Sequence, residues 1–105
     1  MIHITVAYPN SEGATFDHDY YANSHLPLVL ERVGSVLKRV EADRSIGSGQ
    51  PGTDPKWIAA GHLFVDSLDE FQAAFGPHAA EIMGDIPNFT NVQPEMVFAE
   101  STVIG

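Results

Sequence analysis

Trp57-Ile58-Ala59-Ala60-Gly61-His62-Leu63-Phe64-Val65 is apolar nearly throughout, with His62 as its one strongly polar side chain. Nine residues of this kind, ending where Asp66 and Ser67 offer helix caps, read as a strand covered on both faces. Downstream, Ser67 and Glu70 fit a capping box. A helix is predicted from Leu68 to about Glu81, with Leu68, Phe71, Phe75 and Ala79 on one stripe. Gly84 to Asn91 is an irregular connection around Pro87, and Met96 to Val103 reads as the last strand. Upstream lies a loop, Gly47 to Pro55, and before it a strand from Val36 to Ile46.

The N-terminal third supplies the remaining two elements. Ile2, Ile4, Val6 and Tyr8 alternate with His3, Thr5 and Ala7, the period of a strand. Phe16 to Val33 reads as a helix started by Thr15 or Asp17 and kinked at Pro27, whose ring crowds the carbonyl of Asn23. Gly34 suits the positive-φ residue that follows a helix end. The order is βαββαβ. That is an α+β, ferredoxin-like plan: a four-stranded antiparallel sheet with two helices on one face. Val36, Trp57, Leu63 and Phe98 are more apolar surface than two helices can cover, and a bare face of that size is sticky. A homodimer closing two sheets into an α+β barrel is therefore expected.

With 105 residues and no internal linker, the chain is one domain, 1–105. It has no cysteine, so disulfides, thiolate metal sites and cysteine nucleophiles are excluded. The net charge is −9, and Lys56 is the only basic residue after position 52, against eight acids. Such a chain repels nucleic acid and anionic membranes, whose binding needs Lys and Arg. No signal-peptide pattern or transmembrane run is evident, and a cytoplasmic location is the expectation. The loop at 47–52 lacks the strand–loop–helix context and the lysine of a phosphate-binding loop. No Rossmann fingerprint or Gly-x-Ser-x-Gly turn occurs, so no cofactor is expected.

Several short stretches together resemble the EthD family of the dimeric α+β barrel superfamily. They are Tyr8-Pro9-Asn10, Phe16-Asp17, Tyr20-Tyr21 with His25-Leu26-Pro27-Leu28, and Gly61-His62-Leu63-Phe64 with Ser67-Leu68 and Phe71. His78 to Met83, Asp85 to Thr90 and Pro94 complete the pattern. The resemblance implies a barrel-forming homodimer and a link to catabolism, since the family is named for a protein needed in bacterial degradation of an alkyl ether. Neighbouring families include lactone isomerases, cofactor-free monooxygenases, polyketide cyclases and haem enzymes, and shared architecture does not choose among them. Isomerase relatives that use a cysteine are no guide here.

His25 is the first candidate for chemistry, because imidazole titrates close enough to neutrality to serve as acid or base. The alternative is a ring that bonds a carbonyl freed by Pro27. Tyr21 shares its helix face and is the candidate for polarising a ligand oxygen. Tyr8, Tyr20, Trp57 and His62 are candidates for binding substrate. Tyr8 sits at a strand end, Tyr20 pairs with Phe16, Trp57 suits a pocket wall or an interface, and His62 meets either the cavity or the opposite face. His78 and Glu81 read as a solvated helix-end pair, and two such groups fall short of a catalytic metal site. Asp85 and Asn88 read as makers of local turn bonds. The expected function is binding of a small hydrophobic organic molecule, with a cofactor-free isomerisation, cyclisation or decarboxylation at His25. The alternative is a non-catalytic carrier assisting a partner oxidase.

Overall fold

The computed structural model describes residues Met1–Gly105. Four strands, β1 (Ile2–Pro9), β2 (Arg39–Arg44), β3 (Trp57–Val65) and β4 (Glu95–Glu100), form one antiparallel sheet in the order β2-β3-β1-β4. This is the ferredoxin-like arrangement, with the two helical connections on one face. The register sets which side chains meet the helices. Ile4 lies opposite Leu63, Val6 opposite Gly61 and Tyr8 opposite Ala59, and directly opposed residues share a face. Ile4, Tyr8, Ala59, Leu63 and Val65 are buried there.

The first helical connection has three pieces: α1 (His18–Tyr20), a π-helical turn (Tyr21–His25) and α2 (Leu26–Val33). Asp17 caps the start, its carboxylate accepting from the Tyr20 N–H at 3.0 Å. The expected kink takes the form of the π turn, in which the Leu26 N–H bonds the Tyr21 carbonyl five residues back. Pro27 has no N–H to give, so the wider turn ends where the proline begins the next helical piece. Gly34, at φ +78°, closes α2.

The second connection departs from one continuous helix. Ser67 caps α3 (Leu68–Phe75), but Gly76-Pro77 interrupts it with a 3₁₀ turn. The chain resumes as α4 (Ala79–Gly84) and a further 3₁₀ turn, Ile86–Asn88. The proline lacks a donor and glycine is a poor helix former, which accounts for the break.

Two other expectations shift. Val36 belongs to a short 3₁₀ turn, Gly34–Val36, so β2 starts three residues later than its apolar pattern suggests. Of the four apolar side chains thought too many for the helices, Leu63 is buried and Val36 and Trp57 are half-buried. Phe98, on edge strand β4, stays 49% exposed. No helix is long and apolar enough to cross a membrane.

Two apolar clusters fill the space between sheet and helices. One joins Ile4, Val29, Val33, Leu63, Val65, Phe71 and Ile82. The other is aromatic, built from Tyr8, Tyr21, Phe89 and their neighbours Leu26, Ala59 and Ile86.

Candidate functional site

Between those clusters lies a cavity of about 40 Å³. That exceeds the roughly 10–15 Å³ a single water needs and is well below the ≈ 300–1,000 Å³ of common ligand pockets. Met83 and Met96 stand at its rim, each more than two-fifths exposed. Their unbranched, flexible side chains rearrange at low cost. The lining is apolar apart from two phenols and one imidazole: Tyr8, Tyr21 and His25.

The π turn places His25. Its wider winding sets Tyr21 and His25, four residues apart, with rings parallel within 16° and centroids 5.6 Å apart. Phe89 packs against the imidazole at 4.6 Å. His25 is 4% exposed, yet its ring is not bound to a backbone carbonyl. Nδ1 lies 2.9 Å from the Asp85 carboxylate, which comes from the C-terminal end of α4.

Asp85 is itself held by three groups. Tyr20 Oη donates to its Oδ1 at 2.7 Å and Asn88 Nδ2 donates to the same oxygen at 2.8 Å, while His25 occupies Oδ2. Burial pushes the carboxyl upward, but the hydrogen bonds from Asn88, His25 and Tyr20 outweigh it and hold it below its ordinary value of 3.8. An ionised carboxylate only accepts, so Nδ1 carries the proton and Nε2 is left as the basic nitrogen. Nε2 has no partner within the chain and is not sealed away from the cavity.

On the far side of Tyr21 stands Tyr8, ring centroids 5.6 Å apart. Burial pushes the Tyr8 hydroxyl up to about 12, partly offset by the neighbouring Tyr21 side chain. Burial drives Tyr21 higher still, followed by the charge and hydrogen bond of Tyr8. Opposite the Tyr21 hydroxyl the sheet carries Gly61, where a Cβ would overlap Oη. A glycine in mid-strand here serves close approach of a side chain to the backbone.

The cavity therefore gathers His25, Tyr21 and Tyr8. Tyr20 does not line it; it is half-buried and bonds Asp85 from behind. His62 lies on the other face of the sheet, between Thr5 Oγ1 at 3.0 Å and Asp43 Oδ2 at 2.7 Å. Trp57 is half-buried beneath the Lys56 ammonium and away from the cavity. Glu81 accepts from Arg32 on α2 through both carboxylate oxygens, at 2.9 and 3.2 Å, and the charge of His78 also acts on it. No group of three His, Asp or Glu side chains is placed to hold a metal ion. Asp85 is the residue that local reading misses, because its partner lies 60 positions away. The available signal was a buried-helix histidine in need of an acceptor and an Asp near an irregular, proline-bearing segment.

The EthD domain model matches residues 12–93. The crystal structure of an EthD-like protein from Ralstonia eutropha JMP134 superposes with a TM-score of 0.92 at 37% identity, over 97% of this chain and 92% of that one. An ethyl tert-butyl ether d (EthD) family protein from Bacillus halodurans C-125 gives a TM-score of 0.65 at 19% identity, covering 97% and 99% of the two chains. A dimeric protein of ferredoxin-like fold from Bacteroides fragilis NCTC 9343 gives 0.55 at 14%, covering 95% and 94%. These last two share the fold alone. No curated protein matches the chain. The family model spans most of the sequence and the Ralstonia protein is alike over nearly its whole length, so the chain belongs to the EthD family.

Proposed function

We propose that the cavity binds a small hydrophobic organic molecule and that His25 Nε2 moves a proton on it, as in an isomerisation, cyclisation or decarboxylation. One observation carries this reading: a buried imidazole in the wall of an apolar cavity, its Nδ1 bonded to a carboxylate held ionised by three donors. Orientation of a base by a carboxylate is a recurring way to fix its tautomer and stabilise its protonated form. Proton transfer of this kind calls for no bound cofactor. Tyr8 and Tyr21 orient the ligand's oxygen, and Tyr20 acts behind Asp85.

Deuterium exchange at the carbons beside the carbonyl of 2-indanone, followed by proton NMR in deuterated buffer, reads this step without knowledge of the natural substrate. The protein should accelerate exchange over an equal concentration of imidazole. His25→Gln should lower the protein's rate by about 10²–10⁴-fold, the usual range for a general base. No acceleration, or a rate unchanged in His25→Gln, would contradict catalysis. Binding of 2-indanone that persists without exchange would assign the protein a carrier role beside a partner oxidase.

We further propose that the protein acts in the cytoplasm as a homodimer through the open sheet face. That face carries Ala60, Phe64 and Val97, the last 57% exposed, opposite the face that the helices cover. The Bacteroides fragilis relative is a dimer of the same fold. Sedimentation at micromolar concentration should give roughly twice the chain mass of 11.4 kDa. A soluble monomer at millimolar concentration would contradict the dimer.

A further inference from the structure

One titratable cluster lies away from the cavity, on the sheet face turned from the helices. Glu41, His62, Thr5 and Val97 stand opposite one another there, a single row across β2, β3, β1 and β4. Arg39 and His3 lie in the row on one side of it, Asp43 and Glu95 in the row on the other. His62 is bonded at both ring nitrogens: Nε2 is 2.7 Å from Asp43 Oδ2 and Nδ1 is 3.0 Å from Thr5 Oγ1. The His3 ring meets it edge-on at 6.3 Å and is itself tied by Nδ1 to Ser101 Oγ at 2.6 Å.

This bonding accommodates two charge states. A carboxylate only accepts, so Nε2 carries a proton toward Asp43 in both. A threonine hydroxyl donates to Nδ1 of the neutral ring and accepts from Nδ1–H of the imidazolium. Uptake of a proton therefore breaks no hydrogen bond, and what changes is the charge of the face. With both imidazoles neutral, Arg39 stands against Glu41, Asp43 and Glu95, an excess of two negative charges. Arg39 is already paired with Glu41 and lies over the Phe64 ring, which leaves Asp43 and Glu95 uncompensated. An imidazolium at His62 neutralises Asp43.

A two-fold interface is isologous, so copies packed face to face present this patch to itself. The Asp43 side chain, 59% exposed in the single chain, then loses water while facing acidic groups like its own. Burial of an uncompensated carboxylate is costly, and burial of one joined to an imidazolium is much less so. The proton on His62 is accordingly held more tightly in the pair than in the single chain, and the pair binds more protons. By linkage, association strengthens as pH falls through the imidazole range and weakens as pH rises through it. We infer that His62, joined to Asp43, couples dimerisation to pH, the dimer being tighter in mildly acidic than in mildly alkaline solution. The inference rests on the reading of the open sheet face as the dimer interface. It gives His62, a candidate substrate contact by sequence, a part in assembly.

Sedimentation velocity with fluorescence detection, from nanomolar to high-micromolar protein at constant ionic strength, tests it at pH 5.5 and pH 8.0. The wild-type dissociation constant should be about tenfold higher at pH 8.0, which requires each copy to take up only about a fifth of a proton on pairing across this range. His62→Gln keeps a donor for Asp43 and should remove most of that dependence. Asp43→Asn should tighten the dimer at pH 8.0 toward the wild-type value at pH 5.5. Equal wild-type constants at the two pH values, a wild-type dimer intact at nanomolar concentration at pH 8.0, or an undiminished dependence in His62→Gln would overturn the inference and leave the dimer standing. A monomer at every concentration and both pH values would remove the dimer reading and the inference with it.

Discussion

Asp85→Asn should cut the His25-dependent exchange of 2-indanone about 100-fold or more, the scale expected when a general base loses its orientation and tautomer. The carboxylate is the only acceptor for Nδ1–H, and an amide can present its NH₂ to the ring just as well as its oxygen. Half of the productive arrangement is then lost, together with the negative charge that stabilises the imidazolium. Binding of 2-indanone should be nearly unchanged, since Asp85 does not line the cavity. Stability should respond less than activity. Tyr20 and Asn88 are accessible enough for water to replace their lost acceptor, and only the His25 donor is buried. Asp85→Ala is thus expected to cost about 1–3 kcal/mol, the penalty for one unsatisfied buried group. Acid sensitivity supplies a second signature. Asp85 is held below 3.8 in the folded protein, so between that lowered value and 3.8 the unfolded chain binds more protons. Its contribution is present above 3.8 and lost as pH falls through the folded value, and Asp85→Asn should flatten that part of the stability curve.

The second large effect is expected at Gly61. Gly61→Ala places a methyl where Tyr21 Oη now lies, and Tyr21 is hemmed in by Tyr8, Phe16, His25 and Phe89. Overpacking of this kind costs about 1–3 kcal/mol, against a small gain because alanine suits a strand better than glycine. The displaced phenol should also close the cavity to 2-indanone. Tyr21→Phe removes the overlapping oxygen and leaves the ring carbon Cζ 3.3 Å from the new methyl, a tight but tolerable contact. The double variant Gly61→Ala, Tyr21→Phe should therefore be more stable than Gly61→Ala alone. Chemical denaturation of the four proteins in this cycle measures the coupling. Additive effects would show that Gly61 is not there for the Tyr21 hydroxyl.

The contrast between these two positions shows which features are legible in a sequence. Gly61 stands in a strand recognisable from its nearly unbroken apolar run, so a glycine in mid-strand is visible in the sequence, although the Tyr21 hydroxyl that it makes room for comes from the first helical connection. The Asp17 and Ser67 caps are equally local, and both form as their side chains suggest. Pro27 announced a disturbance in the first helix, but an i→i+5 turn cannot be told from a simple kink by composition. The Gly76-Pro77 break was available in the sequence and was masked by the apolar stripe running through it. Asp85 belongs to a different class. Its pairing with His25 depends on how α4 packs beside the π turn, and nothing within the surrounding residues separates it from an ordinary turn aspartate. Arg32 and Glu81, joined 49 positions apart, were hidden for the same reason. Sheet topology was readable because strand and helix periods are local signals; the polar constellation was not, because it is assembled by tertiary contact.

The most direct measurement is a crystal structure of the protein soaked with 2-indanone. The ketone should lie in the apolar cavity, its oxygen within hydrogen-bond distance of Tyr8 Oη or Tyr21 Oη and a ring CH₂ facing His25 Nε2, with Met83 and Met96 moved outward. A ketone found instead on the open sheet face beside His62, with the cavity unchanged, would contradict the account.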